Sequence, residues 1–418
     1  MKYLIYISFF VFVSGNIKAQ QEFSIIPDST VLSKKNFFIE HETGYDFQSE
    51  NLNNLFLKKF IKGGHINTDL ITNASNNLKT LNHIGLNFHS EINVYIKIDS
   101  IFKTDKYGIY TGFEHDFISS FRYNKSLFDL TFFGNQPFID DTLQLEDTRI
   151  DQITYQKLKL GLYRKSDMSY LSLNIYRGVN YNQASIYNGD FNTAINGSDL
   201  YLDLTGEFTS SNNQNNLAFM RGIGVGLDFR TYLQFQSPKS KSVSFVELKI
   251  EDIGFISWLN RGYSIKKDTV YNFQGFEINN LDFNNNGSFI GEQSISDSLN
   301  IEKVKTGFTR TLTPTFSVTK ILHPERSKKL DYIIGLKMRM ISYYKPMILA
   351  GISYNPNRHL GITPYANYGG FGGLSAGIRI DGNIKNNFYY AISSNNINGL
   401  FTESGYGSSL GLSLMTTF

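Results

Sequence analysis

The residues best placed by type to do covalent chemistry are two dipeptides, His89-Ser90 and His115-Asp116. Acyl hydrolysis at a lipid boundary needs a serine, a histidine that takes its proton, and an Asn or Asp that orients the imidazole. Both dipeptides sit in stretches of alternating apolar and polar residues, where chain neighbours point to opposite sides of a strand. Adjacency therefore argues against contact, and the sequence predicts no catalytic constellation and no enzyme. A lone inward histidine reads instead as a hydrogen-bonded polar residue. Asp140, Asp141, Glu146, Asp147 and Asp151 offer oxygen ligands of the kind Ca²⁺ takes, but they lack the spacing and the Gly of an EF-hand and read as a solvated acidic loop. Gly222, Gly224 and Gly226 alternate along a strand rather than opening a helix, so they form no phosphate cradle. They read as room for a plug or as relief of sheet curvature. No metal or cofactor ligand is expected.

The elements that must carry these residues are strands. From Ile84 to Asp99, Ile84, Leu86, Phe88, Ile92, Val94, Ile96 and Ile98 share one side, broken only by Ser90, and Gly85, Asn87, His89, Glu91, Asn93, Tyr95, Lys97 and Asp99 the other. Helical periodicity cannot produce this pattern. At ~3.3 Å per residue the strand is roughly 50 Å long. Tilted near 45° it rises about 35 Å, more than the ~25 Å apolar band of an outer membrane, whereas strands of soluble domains average ~5–6 residues. Alternation recurs through Tyr107–Phe117, Leu158–Leu162, Leu171–Val179, Leu200–Phe208 and Ile223–Phe229, and further strands are expected near 306–319, 330–342, 346–355, 360–368, 373–381, 386–394 and 408–418. The reading is an all-β, transmembrane antiparallel β-barrel of about fourteen strands, with twelve to sixteen allowed, because such barrels have even numbers.

Its inner face carries Glu91, Lys97, Glu114, Lys157, Lys159, Asp203, Glu207, Asp228, Arg230, Lys337, Arg339 and Arg379. Mixed signs either line a channel or pair across strands and close the lumen. Pairing is the favoured reading, since an ion-selective pore would show one sign.

Two stretches do not read as wall. In Asn51–Asn82, Leu52, Leu55, Phe56 and Phe60 are spaced as on a helix, Gly63-Gly64 breaks it, and Ile66, Leu70, Ile71, Leu78 and Leu81 make a second. This pair fits a plug, a periplasmic cap or a loop against the rim. The other stretch, Asp252–Lys305, holds the single tryptophan, Trp258, expected as an interfacial anchor, and the Asn-rich tract Asn279–Gly287, expected as an exposed loop.

The termini fit an exported protein. Lys2, the apolar run Tyr3–Val13 and the stretch ending Ile17-Lys18-Ala19 have the layout of a signal peptide cleaved after Ala19. The run is too short for a spanning helix. In Ser409–Phe418, Leu410, Leu412, Leu414, Thr416 and Phe418 share a side, an ending that resembles the terminal strand read by the barrel assembly machinery. The chain of 418 residues has no cysteine, so acylation, disulfides and thiolate metal sites are excluded. Its charge of +3 falls to +1 once Lys2 and Lys18 are removed, which leaves no basic field for nucleic acid. Aromatics reach 15%, nearly all Phe and Tyr, Gly and Asn are abundant and Pro is scarce, a profile of strands and turns.

The order Phe60-Ile61-Lys62-Gly63-Gly64-His65-Ile66, Leu81-Asn82-His83-Ile84-Gly85, Phe133-Gly134-Asn135, Arg221-Gly222-Ile223-Gly224-Val225-Gly226-Leu227-Asp228 and Asp252-Ile253-Gly254-Phe255-Ile256-Ser257-Trp258 resembles a family of uncharacterised outer-membrane barrels common in Bacteroidota. More distantly the architecture is similar to the FadL-type fatty-acid transporters. The resemblance implies envelope and architecture, not activity. The expected organisation is a signal peptide (1–19), an N-terminal segment with a first strand and the helical pair (20–83), and the barrel (84–418). The expected role is a channel or transporter for small apolar or amphipathic solutes in the cell outer membrane. The alternative is a scaffold barrel that binds envelope proteins of secretion, surface-lipoprotein or assembly machinery. Expected partners are outer-membrane lipid, the assembly machinery through the strand ending at Phe418, and other envelope proteins, with no nucleic acid.

Overall fold

A computed structural model of the chain describes residues 24, 25, 27, 29–195, 199–211, 221–236, 243–273, 304–322, 329–384 and 387–418. The signal peptide and the tract Asn279–Gly287 lie outside them. The strands are β1 (Phe37–Ser49), β2 (Leu81–Ile96), β3 (Tyr107–Asn124), β4 (Thr142–Gln144), β5 (Thr148–Arg164), β6 (Tyr170–Thr193), β7 (Leu200–Ser210), β8 (Gly222–Gln236), β9 (Val243–Phe273), β10 (Val304–Thr311), β11 (Thr315–Ile321), β12 (Leu330–Arg339), β13 (Lys345–Asn357), β14 (Leu360–Gly370), β15 (Leu374–Ile384), β16 (Phe388–Ser394) and β17 (Gly407–Thr417). They form one antiparallel sheet that closes through β1 and β17, with Phe38 opposite Thr417 and Gln48 opposite Gly407.

Three of these segments continue another strand past a local break. β4 and β5 both pair with β6, β7 and β8 both lie between β6 and β9, and β10 and β11 both pair with β9. Counted this way, the ring has 14 strands. Closure removes sheet edges, the condition for a sheet to sit in hydrocarbon. Among the described residues no helix is long and apolar enough to cross a membrane.

The outward face is apolar along whole rows. Ile39, Val94, Thr111, Leu160, Leu173, Leu227 and Ile253 are successive cross-strand neighbours, and Leu173 is 69% exposed although it is paired on both sides. An exposed belt of this extent has no counterpart on a monomeric soluble protein. At the end where β1 begins and β17 finishes, β5–β6, β13–β14 and β15–β16 have short connections and β2–β3 one of ten residues. The opposite end carries the longer connections between β1 and β2, β3 and β4, and β16 and β17.

Those longer connections hold the helices α2 (Asn54–Lys62), α3 (Thr68–Asn77), α4 (Lys125–Phe133) and α5 (Ile397–Phe401); α1 (Ser29–Lys34) precedes β1. Asn53, Asn67 and Asn124 cap α2, α3 and α4, their side-chain oxygens accepting from the backbone N–H of Phe56, Leu70 and Leu127. Gly63, at φ +81°, ends α2 where the sequence predicts the break. The apolar sides of α2 and α3 pack with Phe128 and with Phe47, Ile84, Leu86, Phe121 and Tyr123. These five strand residues all have outward parity, so the pair drapes the outer wall of β1–β3 near the rim. Of the three positions the sequence leaves open, this is the rim. Asn54 fixes it there by donating to the carbonyls of Gly399 and Gly407, both at 2.9 Å.

One expectation is overturned. Asp252–Trp258, and the chain on to Phe273, belongs to the wall as the upper part of β9. The alternation breaks phase at Asp252, where Glu251 and Asp252 together oppose Asp228 in a β-bulge with Asp252 at φ +62°. Beyond it the inward residues are Ile256 and Trp258, and a simple period-2 reading is lost. Trp258 is accordingly no interfacial anchor. It is 2% exposed and packs with Tyr181 and Phe308.

Candidate functional site: the sealed lumen

The inner face is filled by its own side chains. Lys157 on β5 is fully buried, and its Nζ lies 2.9 Å from each of Glu114, Asp228 and Asp252, carboxylates brought by β3, β8 and β9. Lys159, one inward step along β5, pairs with Glu91 and Glu114. The bulge places Asp252 among them: its backbone N–H donates to Asp228 at 2.8 Å, and its other oxygen accepts from the Tyr155 hydroxyl at 2.7 Å. In an interior of low dielectric such charges persist only when paired.

Other contacts cross the barrel. β12 and β2 stand seven strands apart in the ring of fourteen, on opposite walls, yet Arg339 Nη1 donates to Asn87 Oδ1 at 3.0 Å. Arg230 of β8 donates to the Tyr95 hydroxyl of β2 at 2.6 Å, and Tyr95 donates to Glu40 of β1 at 2.8 Å. Opposite walls therefore meet. Towards the termini, Tyr95, Tyr110, Tyr163 and Tyr170 pack with Ile25, Val31 and Leu32, so the N-terminal segment with α1 stops that mouth. Towards the long-loop end, Phe371 lies so close to Gly85 that a Cβ there would fall 1.9 Å from its ring. The inward glycines serve the same filling. A Cβ on Gly226 would meet Tyr176 at 2.9 Å, and one on Gly222 would meet Ile256 at 2.7 Å. They give room to aromatic and aliphatic fillers rather than to a separate plug.

Most of the residues expected to face the lumen do so. Glu91, Glu114, Lys157, Lys159, Asp228, Arg230, Lys337, Arg339 and Arg379 are all buried. Three do not join the network. Lys97 lies past the end of β2 and donates to the Ser33 carbonyl at 3.0 Å, while Asp203 and Glu207 are only half-buried on β7, above β8. Sequence reasoning missed Glu40, Glu42, Lys249, Glu251 and Asp252. Lys249 and Glu251 flank Ile250 and were legible, whereas Glu40 and Glu42 flank His41, where alternation is weak, and Asp252 required the bulge.

For the two dipeptides, registry adds what adjacency could not supply. β2 and β3 pair so that His89 faces Asp116 inward and Ser90 faces His115 outward. His89 Nδ1 and Asp116 Oδ1 are 2.8 Å apart, whereas His115 Nδ1 has no hydrogen-bond partner. In the acidic loop, Asp147 pairs with Arg122 and Asp151 with Arg149, each at 2.6 Å.

A closed antiparallel ring with a lipid-type belt outside and paired charge inside defines the class: an outer-membrane-type β-barrel. The chain belongs to the Family of unknown function (DUF5723), whose model matches residues 37–393. No curated protein matches it. Among solved structures the chain is similar to the Pseudomonas putida toluene transporter TodX, with 8% identity, a TM-score of 0.35 and coverage of 94% of this chain and 93% of that one. It is similar also to the translocator domain of the autotransporter NalP from Neisseria meningitidis, with 7% identity, a TM-score of 0.33 and coverage of 92% and 88%. Likeness at these scores carries no argument about what this chain does.

Proposed function

We propose that the protein is an integral barrel of the outer membrane that keeps its axis shut and serves as an accessory or scaffold barrel for other envelope proteins. The observation that supports this reading is the contact between opposite walls, Arg339 with Asn87, above a core of fully buried ion pairs. A passive pore needs continuous water, and buried pairs of this kind exclude it. The helical collar and the long connections at one end offer surface for partners, and mostly short connections at the other end fit the periplasmic side of such barrels.

Transport of small apolar or amphipathic solutes is the second reading. It is favoured by Ile25, Val31 and Leu32, which enter the mouth as a segment separate from the wall and so can leave it. Planar-bilayer conductance of the purified chain, together with co-purification from native membranes in mild detergent, separates the two. The scaffold reading expects no steady conductance and a stable envelope partner. Conductance or solute uptake that rises when residues 24–34 are deleted would overturn it in favour of transport.

A further inference from the structure

Six carboxylates and three fixed cations, with His89, line a cavity of about 40 Å³ inside the barrel, room for an ion with one or two waters. Buried negative charge in excess of its partners is costly and calls for a proton or a cation. Two of these carboxylates, Glu42 and Glu247, keep a buried oxygen with neither a hydrogen bond nor an ion pair. Glu42 is 6% exposed, lines the cavity, and its Oε1 has no hydrogen-bond partner.

We propose that Glu42, His89 and Glu91 form a binding site for a divalent transition-metal ion of the Zn²⁺ type inside the lumen. One ligand atom from each of the three lies within 4.8 Å of the others; Glu42 and His89 line the cavity itself, and Glu91 stands beside it. His89 Nε2 is 3.8 Å from Glu91 Oε1, against roughly 3.3 Å between donors around a tetrahedral zinc with bonds of about 2.0–2.1 Å. A bound ion would need only a small inward movement of the side chains.

The supporting groups are those a histidine ligand requires. Asp116 lies 2.8 Å from His89 Nδ1, so a proton held on that nitrogen would leave Nε2, which faces Glu91, to bind the ion. Glu91 is divided in the same way, with Oε2 on Lys159 and Oε1 towards His89. Thr315 and Ser317 line the same cavity and can bond a metal-bound water. One imidazole among carboxylates suits Zn²⁺ or Mn²⁺ better than Ca²⁺ or Mg²⁺, which take oxygen alone. The 13% of the His89 side chain that stays exposed opens onto this cavity. The site is independent of whether the barrel transports or scaffolds.

The test is Zn²⁺ titration by calorimetry of the full chain in mild detergent after chelator treatment. The expected result is one Zn²⁺ per chain, with at least tenfold weaker binding in Glu42→Gln and His89→Gln and a loss of about 10–100-fold in Asp116→Asn. His65→Ala, in an exposed loop, should bind as the wild type does. Zinc-edge X-ray absorption of the wild type gives a reading that needs no variant to fold, and one imidazole with oxygen ligands is expected. Failure of the wild type to take up zinc, unchanged affinity in both Glu42→Gln and His89→Gln, or an absorption spectrum without a single imidazole would overturn the site.

Discussion

The two sides of the barrel look alike from outside and differ within. On β13–β17 the inner polar residues are mostly short and uncharged, among larger apolar and aromatic ones such as Met347, Tyr365 and Met415: Ser353, Asn355, Thr363, Asn367, Ser393, Ser409 and Ser413 are all buried. Their partners are close by. Tyr365 donates to Asn395 at 2.7 Å, Asn367 to the Asn395 carbonyl at 2.8 Å, and Ser375 to Asn367 at 2.6 Å; even the charged pair there, Arg379 with Asp381, is made within one strand. On β1–β9 many inner residues are long and charged, and their bonds reach strands two to four places away in the ring. One side satisfies itself locally. The other cross-links the ring, so a single truncation there leaves several distant groups unpaired at once.

The sharpest way to break this contrast is to truncate one residue of each kind. Lys157→Met removes the shared partner of Glu114, Asp228 and Asp252, and leaving buried charge uncompensated is expected to cost about 3–5 kcal/mol. Ser413→Ala removes a buried hydroxyl that has no hydrogen-bond partner, and its effect should stay below about 1 kcal/mol. Urea unfolding from lipid vesicles measures both. Comparable losses would mean that the charged side does not carry the cross-linking inferred for it.

What the sequence made legible follows the same division. The outer face is set by solvent alone, so simple alternation located β2 at its observed length of 16 residues, displaced by three positions, read β10 and β11 as one strand, and found each strand from β12 to β17 to within a few residues. The helical pair was legible because Gly63 and the spacing of Leu52, Phe56 and Phe60 are local signals. Its place on the outer wall was not, because that depends on which face of β1–β3 it meets. Inside the barrel, parity gave Lys157, Lys159 and Asp228 their direction but not their partners, which depend on registry between strands far apart in the chain. Asp252 and Trp258 were misread for one reason: a single extra residue at the bulge inverts the parity of everything after it.

A second test addresses the face on which both sides agree. Leu173 sits in the middle of an apolar row between Leu160 and Leu227, and Leu173→Arg on a lipid-facing mid-belt position should cost about 2–4 kcal/mol in refolding into bilayers. A loss under 1 kcal/mol would place this row outside the hydrocarbon and shift the belt along the barrel.

The smallest effect is expected where the two sides meet at the rim. Glu50, just past β1, accepts from Lys345 at the start of β13 at 2.9 Å and from Lys79 at 3.1 Å. Burial pushes its carboxyl up, but the two ammonium groups outweigh this and hold it below its ordinary value of 4.5. A carboxyl depressed in the folded state contributes stability that is complete above the unfolded value and drains away as the pH falls through the folded one. Both lysines are substantially exposed, at 66% and 46%, so solvent and salt screen the pairs to at most about 1 kcal/mol. Glu50→Gln should therefore melt slightly below the wild type at pH 7, and the gap should close below about pH 4.5. Thermal unfolding in detergent at both pH values measures it. A gap that persists or widens in acid would show that Glu50 acts through packing at the rim and not through its charge.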